Sequence, residues 1–201
     1  MQARWIAVVA VFGAVWGATE MSLGALLRNM AIPMHGSLMA GIGIVIMLVA
    51  RRTLTTEDRY GRGVCLAIGV VAAAMLPMSV SRGIGPAIAG ILFEAACLEI
   101  VLWPARAGAW RYVCSGALAG LSPLLQMLAM LLVQYGAAAV STFRDVFLNK
   151  QGGARLGLAE ATAGTVLTLV AVFSLIYGMV CGLLGWSLAR RILKRLGRPH
   201  A

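Results

Sequence analysis

Five polar residues within or beside long apolar runs are the candidates for chemistry in this sequence. They are Glu20, His35, Arg82, Glu94 and Gln126. A helical rise of about 1.5 Å per residue places Glu20 and Gln126 in the outer half of a membrane and Glu94 near its middle. Polar groups at that depth are costly unless they are satisfied. They therefore predict a small substrate-binding pocket open to the outside, with hydrogen bonding between helices as the alternative.

Two kinds of ligand would suit these side chains. The carboxyl groups of Glu20 and Glu94, together with His35, favour an amine, a cation or a heterocycle with donor groups. Arg82, and Arg28 close to the same end, favour a carboxylate instead. The sequence leaves the identity of the substrate open between these two.

Sequence motifs for catalysis and for nucleotide or metal binding are absent. The chain contains no Gly-Lys pair, which excludes an ATP-binding GxxxxGK[ST] loop, and it contains no HExxH and no GxSxG. Its four cysteines have no metal-ligand spacing and are interpreted as small buried hydrophobic residues. We therefore expect no enzyme activity, no cofactor and no metal site.

The composition is that of a membrane protein. Of 201 residues, 61% are hydrophobic and 12% are charged, against roughly 25% charged residues in a typical globular protein. The net charge of +10 would indicate nucleic-acid binding in a soluble protein. Here the basic residues lie mostly between apolar runs, so we expect no nucleic acid. The basic segment 190–195 is expected to contact anionic lipid headgroups.

Six apolar runs approach the roughly 20 residues that a helix needs to cross the hydrocarbon core. They cover residues 5–27, 32–50, 63–79, 84–103, 112–135 and 161–189. Because none alternates as a barrel strand does, we expect an all-α bundle of six transmembrane helices forming one domain over residues 1–201. Apolar sequence resumes after Glu20, which favours a retained first helix over a cleaved signal peptide. Residues 136–160 are predicted to form an external loop with a short interfacial helix.

The distribution of basic residues predicts the orientation of these helices. With the N-terminus in the cytoplasm, twelve basic residues lie inside: Arg4, Arg51, Arg52, Arg59, Arg62, Arg106, Arg111, Arg190, Arg191, Lys194, Arg195 and Arg198. Five lie outside: Arg28, Arg82, Arg144, Lys150 and Arg155. By the positive-inside rule, both termini of this multi-pass protein are expected to be cytoplasmic.

Small residues recur at four-residue spacing on the first and last helices. The first helix has Ala10, Ala14 and Ala18, with Gly13 and Gly17 beside them, and the last has Ser174, Gly178 and Gly182. This spacing lets two helix backbones approach closely in lipid. The ladders are therefore expected to pack inside the bundle, and the alternative is that one of them faces outward and docks another membrane protein.

With its six helices and Ala-x-x-x-Ala repeats, the chain resembles the substrate-binding S-component of an energy-coupling factor (ECF) transporter. In that family a helix 1 Ala-x-x-x-Ala motif docks a coupling membrane subunit, and Ala10, Ala14 and Ala18 match it here. The family's pocket opens outward beneath the loops corresponding to residues 28–36, 82–83 and 136–160. The metal-transporting branch begins Met-His, whereas this chain begins Met1-Gln2, so the resemblance implies no metal site.

The resemblance implies a substrate-capture subunit for uptake of a vitamin-like small molecule across the cytoplasmic (inner) membrane. A separate coupling transmembrane subunit and an ATPase pair would energise the uptake. Two alternatives stay open. One is an ion- or proton-coupled secondary carrier that uses Glu94 or Glu99 as its titrating group. The other is a non-catalytic subunit that packs into a larger membrane complex. Glu99, in the inner half of its helix, could instead pair with a cytoplasmic arginine.

Overall fold

The structure, a computed structural model, describes residues 2–30, 32, 34–55, 61–78, 84–103, 108–150, 158 and 160–196. All regular structure in these ranges is helical. The α-helices are α1 (Gln2–Thr19), α2 (Ala25–Asn29), α3 (His35–Thr55), α4 (Val64–Met75), α5 (Ile84–Leu102), α6 (Ala109–Gly120), α7 (Ser122–Tyr135), α8 (Ala139–Lys150) and α9 (Ala163–Arg195). A π-helical segment, Glu20–Gly24, joins α1 to α2. The predicted all-α fold is confirmed.

Several of these helices are long and apolar enough to cross a membrane, which makes the protein a multi-pass membrane protein. Within the described ranges, five segments meet this criterion: Ala3–Leu27, His35–Leu54, Gly85–Leu102, Ala109–Asn149 and Ala163–Arg195. A further apolar helix, Val64–Met78, is shorter. It would extend only about 22 Å at 1.5 Å per residue. It ends in a 3₁₀ turn at Leu76–Met78, where Pro77 supplies no backbone N–H.

The predicted helix over 112–135 is interrupted at Leu121, which is a difference from the sequence interpretation. There α6 ends with a 3₁₀-type bond from the Leu121 N–H to the Leu118 carbonyl at 3.2 Å. Pro123 lies in the first turn of α7, where the missing N–H is tolerated, but it cannot donate back into α6. Apolarity continues unchanged through this break, so the hydropathy pattern alone does not show it.

The first helix is also irregular, at residues 20–24. The Thr19 hydroxyl donates to the Val15 carbonyl, and the Ser22 hydroxyl donates to the Ala18 carbonyl, each at 2.7 Å. Hydroxyls that bond back to carbonyls one turn earlier compete with the helical ladder and often bend it. Single-turn π segments are frequent at functional sites, and this one begins at Glu20.

Helices α6 and α9 approach each other closely through their backbones, and glycines make the contact. A Cβ atom on Gly120 would lie 2.8 Å from the Gly178 Cα atom, and one on Gly116 would lie 2.8 Å from the Gly182 Cα atom. The obstructing atoms are backbone atoms that cannot rotate away. The small-residue ladder of the last helix therefore packs inside the bundle, and its outward-facing alternative is wrong.

A buried ion pair lies at the end of the bundle where α3 and α5 end and α4 begins. The Arg51 Nη1 atom, on a side chain 2% exposed, donates to the Glu99 Oε1 atom at 2.6 Å. The Arg51 Nη2 atom donates to the Leu102 carbonyl. Glu99 also accepts the backbone N–H groups of Gly63 at 2.7 Å and Cys65 at 3.1 Å. Glu99 therefore caps α4 while it neutralises Arg51.

A second arginine joins α3 to α9 at the same end. The Arg52 guanidinium carbon lies 3.2 Å from the centroid of the Trp186 ring. Trp186 in turn contacts Tyr112 edge to face, with 5.0 Å between the ring centroids. Cation–π and edge-to-face contacts of this kind hold three helices, α3, α6 and α9, around one guanidinium.

Replacing Gly178 by alanine tests the glycine contact. The added methyl group would collide with the α6 backbone, so we expect Gly178→Ala to lower the midpoint of thermal unfolding in detergent. Overpacking of this kind costs about 1–3 kcal/mol. Gly164→Ala is the matched control, because nothing lies within 4 Å of a Cβ atom at that position of the same helix. Equal midpoints for the two variants would contradict the close approach.

Replacing Glu99 by glutamine tests the ion pair. Glu99→Gln keeps the size of the side chain but leaves the Arg51 charge buried without its counter-charge, which costs about 3–5 kcal/mol. We expect a large loss of thermal stability, partly recovered in the double variant Arg51→Met, Glu99→Gln. Asp145→Asn is the control, since Asp145 forms an exposed pair with Arg144 worth about 0–1 kcal/mol. A Glu99→Gln variant as stable as the control would show that the pair carries no structural role.

Candidate functional site

A cavity of about 270 Å³ lies between the π segment of the first helix, the start of α3, the first half of α5 and the start of α7. We call it the polar compartment, because Glu20, His35, Glu94 and Ser122 line it. The Trp16 indole lines it as well. The two helix irregularities, at Glu20 and before Pro123, both border this cavity.

A second cavity, of about 400 Å³, adjoins the first. His35, Gly36, Pro86 and Pro123 line both. We call the second cavity the apolar compartment, because most of its remaining wall is apolar, including Met127, Met130, Leu131, Phe143, Phe147 and Val170. Together the two compartments form one site with a polar half and an apolar half.

Glu94 is the most deeply buried acidic side chain at this site. It is 3% exposed, and within the described part of the chain its Oε1 atom has no hydrogen-bond partner. Glu94 also lies close enough to Glu20 for the two carboxyl groups to interact electrostatically. A buried carboxyl oxygen without a partner is costly, so a group from outside the chain is the natural complement.

Trp16, like Glu94, is buried and has a polar atom without a hydrogen-bond partner among the described residues. Its side chain is 1% exposed, and its Nε1–H has no acceptor among the described residues. Gly43 of α3 makes room for both groups. A Cβ atom there would lie 2.6 Å from the Trp16 Cε2 atom and 2.9 Å from the Glu94 Oε1 atom. One buried donor and one buried acceptor therefore both lie close to Gly43, on residues that line the polar compartment.

Gln126 lines the apolar compartment, but part of its side chain is already used. Its amide nitrogen donates to the Pro86 carbonyl of α5, so it joins α7 to α5 across the site. This is the interhelical hydrogen bond that the sequence analysis allowed as an alternative. Gln134 lines the same compartment.

The structure does not describe the side chains of the two arginines that were predicted to lie near the pocket. Arg82 lies outside the described residues, and only the backbone of Arg28 is described. Among the described side chains, His35 is the only basic one lining either compartment. In the same part of the chain, no three His, Cys, Asp or Glu residues form a group that could hold a metal ion.

The aromatic residues of the site were not among those predicted from the sequence. Trp16 is four residues before Glu20, and Phe143 is four residues before Phe147, so each pair shares one helix face. The Phe143 and Phe147 rings are nearly parallel, with centroids 6.1 Å apart. The i, i+4 spacing of these pairs was the feature of the sequence that could have indicated a shared surface. Helix α8 was expected in the 136–160 connection, but not as a wall of the pocket.

The small residues of α1 divide between two faces. A Cβ atom on Gly13 would lie 2.6 Å from the Val71 Cβ atom, and one on Gly17 would lie 2.9 Å from the Met75 Sδ atom. The two glycines therefore pack against α4. This is internal packing, which was one of the two interpretations of the ladder.

The alanines of the ladder lie on a neighbouring, more exposed face of α1. Ala10 and Ala18 are exposed, and Ala14 is half-buried. Ile6 and Val11, nearby on the helix, are each 59% exposed. This surface faces away from the bundle, so it is accessible to lipid or to another membrane protein.

No protein-family model matches the chain, and neither a curated protein nor a solved structure is significantly similar to it. The functional interpretation therefore depends on the geometry of the site itself.

Proposed function

We propose that this protein captures a small molecule from outside the cell as the substrate-binding subunit of an uptake system in the cytoplasmic membrane. The observation that carries this proposal is the two-compartment cavity, with its unpartnered buried atoms on Glu94 and Trp16. A concave, mostly apolar site with a few convergent polar groups is the usual form of a small-molecule site.

The two ends of the bundle differ in a way that supports capture from one side. The cavity lies where α3 begins at His35, about 24 Å along the helix from Arg51 at 1.5 Å per residue. At the Arg51 end the interior is occupied by the ion pair with Glu99 and by the stacked Arg52. The ion pair and the stacked arginine therefore obstruct a route from the cavity through this end of the described part of the bundle.

The charges favour an outward-facing cavity. Trp186, which stacks on Arg52, precedes the basic end of α9, which includes Lys194 and Arg195. The end opposite the cavity is therefore the basic end, and the positive-inside rule assigns such an end to the cytoplasm. In this proposal the short helix Val64–Met78 also crosses the membrane, which gives six spans with both termini inside.

Energy for uptake would come from partner subunits. The sequence has no ATP-binding loop, and the exposed alanine face of α1 offers close backbone approach to another membrane helix. We propose a coupling membrane subunit and an ATPase pair as the partners, with α1 as the docking helix. This corresponds to an S-component of an ECF transporter.

A proton-coupled carrier is the second candidate function. The unpartnered Glu94 oxygen favours it, because a buried carboxyl group can bind and release a proton during transport. Glu99 is less suited to that role, since it already neutralises Arg51 and caps α4.

Affinity purification of the tagged chain from its native membranes in mild detergent tests the docking proposal. We expect mass spectrometry to identify a membrane subunit and an ATPase in the complex. Ala14→Leu should remove both partners, because the larger side chain prevents close helix approach. Ala129→Leu is the matched control, an alanine-to-leucine change at an exposed position of α7.

Retention of the ATPase by Ala14→Leu would show that α1 is not the docking helix. A chain that carries no ATPase, and whose uptake activity is lost when the proton gradient is collapsed, would favour the carrier instead.

A further inference from the structure

The walls of the two compartments together indicate the chemical class of the ligand, because one wall is polar and the other is apolar. The polar compartment has two carboxyl groups, on Glu20 and Glu94, and a single basic side chain, on His35, among its described residues. Glu94 is buried and Glu20 is half-buried, and two carboxyl groups beside one imidazole favour a ligand that brings a positive charge or N–H donors.

The unpartnered Glu94 Oε1 atom locates the point at which such a ligand would bind. Because Glu94 is almost fully buried, a charge-assisted hydrogen bond to it would be shielded from water and correspondingly strong. The Trp16 Nε1–H beside it can only donate. The ligand must therefore carry an acceptor, such as a hydroxyl, carbonyl or ring nitrogen, next to its donor group.

The apolar compartment accounts for the rest of the ligand. Its wall of Met127, Met130, Phe143 and Phe147 is continuous with the polar compartment through His35 and Pro123. Thioether and aromatic side chains adapt to flat or irregular apolar groups. A ligand with a polar head on Glu94 would place an apolar body against these residues.

We propose that the site binds an amphipathic nitrogen cation, with a protonated amine or similar group on Glu94, a neighbouring acceptor on Trp16 and an apolar body in the second compartment. This inference deepens the proposed capture function and rests on it. It assigns Glu94 and Trp16 as the residues that determine specificity.

Binding of three matched probes to the purified protein, measured by calorimetry in detergent, tests the proposal. Phenylalaninol carries an ammonium group, a hydroxyl and a phenyl ring. In 3-phenylpropane-1,2-diol a second hydroxyl replaces the ammonium group, and 3-phenyllactate carries a carboxylate. We expect phenylalaninol to bind most tightly, the diol more weakly and phenyllactate weakest.

Variants of the two specificity residues separate their roles. Glu94→Gln should weaken phenylalaninol binding by about 10- to 150-fold, the range for a charge-assisted hydrogen bond, and should weaken diol binding less, because the diol carries no positive charge. Trp16→Phe removes the indole N–H together with one ring of the side chain, and it should weaken both probes to a similar extent. Glu160→Gln, at an exposed position, is the control and should change neither. If Glu94→Gln lowers the melting temperature, Glu94→Asp, which keeps the charge, replaces it and should retain the preference for phenylalaninol.

The outcomes distinguish this inference from the function on which it rests. If the diol or phenyllactate binds as tightly as phenylalaninol, the cation proposal is wrong while capture of a small molecule stands. If none of the three probes binds, both the cation proposal and the capture site assigned here are overturned.

Discussion

The rest of this structure depends on a difference between two buried acidic residues of α5: Glu99 is fully paired within the protein, whereas Glu94, among the described residues, is not. At one end, Arg51 and Glu99 neutralise each other, and the spare lone pairs of Glu99 are used by the first N–H groups of α4. In the wall of the polar compartment, near the middle of α5, the Glu94 Oε1 atom is left without a partner among the described residues. Helix packing that closes one end and leaves a cavity at the other makes the bundle suitable for binding.

Local departures from ideal helix geometry create the cavity. Hydroxyl groups at Thr19 and Ser22 bond back to the helix and accompany the π segment that begins at Glu20. Pro123 breaks the helix across the site at Leu121. The glycine contact between α6 and α9 is regular and tight by comparison. The structure therefore combines a rigid packed pair of helices with two irregular segments that shape the pocket, a division that suits a preformed binding site.

Most of the helices could be predicted from the sequence, because apolar length alone identifies a membrane helix. Glu20, His35 and Glu94 could also be placed together, since their depths follow from the helical rise. Trp16, Phe143 and Phe147 could not be assigned to the site in the same way. Aromatic residues are common in apolar helices, and only the packing of α1, α5 and α8 shows which of them line a cavity. Gly43 is equally inconspicuous in the sequence, yet its missing side chain leaves room for both Trp16 and Glu94.

The central claim is that Glu94 and Trp16 are completed by a ligand, and an experimental density map of the protein purified from its native membranes tests it most directly. The account predicts non-protein density within hydrogen-bonding distance of both the Glu94 carboxyl group and the Trp16 Nε1 atom, continuing past His35 towards Phe143 and Phe147. It would be contradicted by a map in which Glu94 and Trp16 bond to protein groups and side chains fill both compartments.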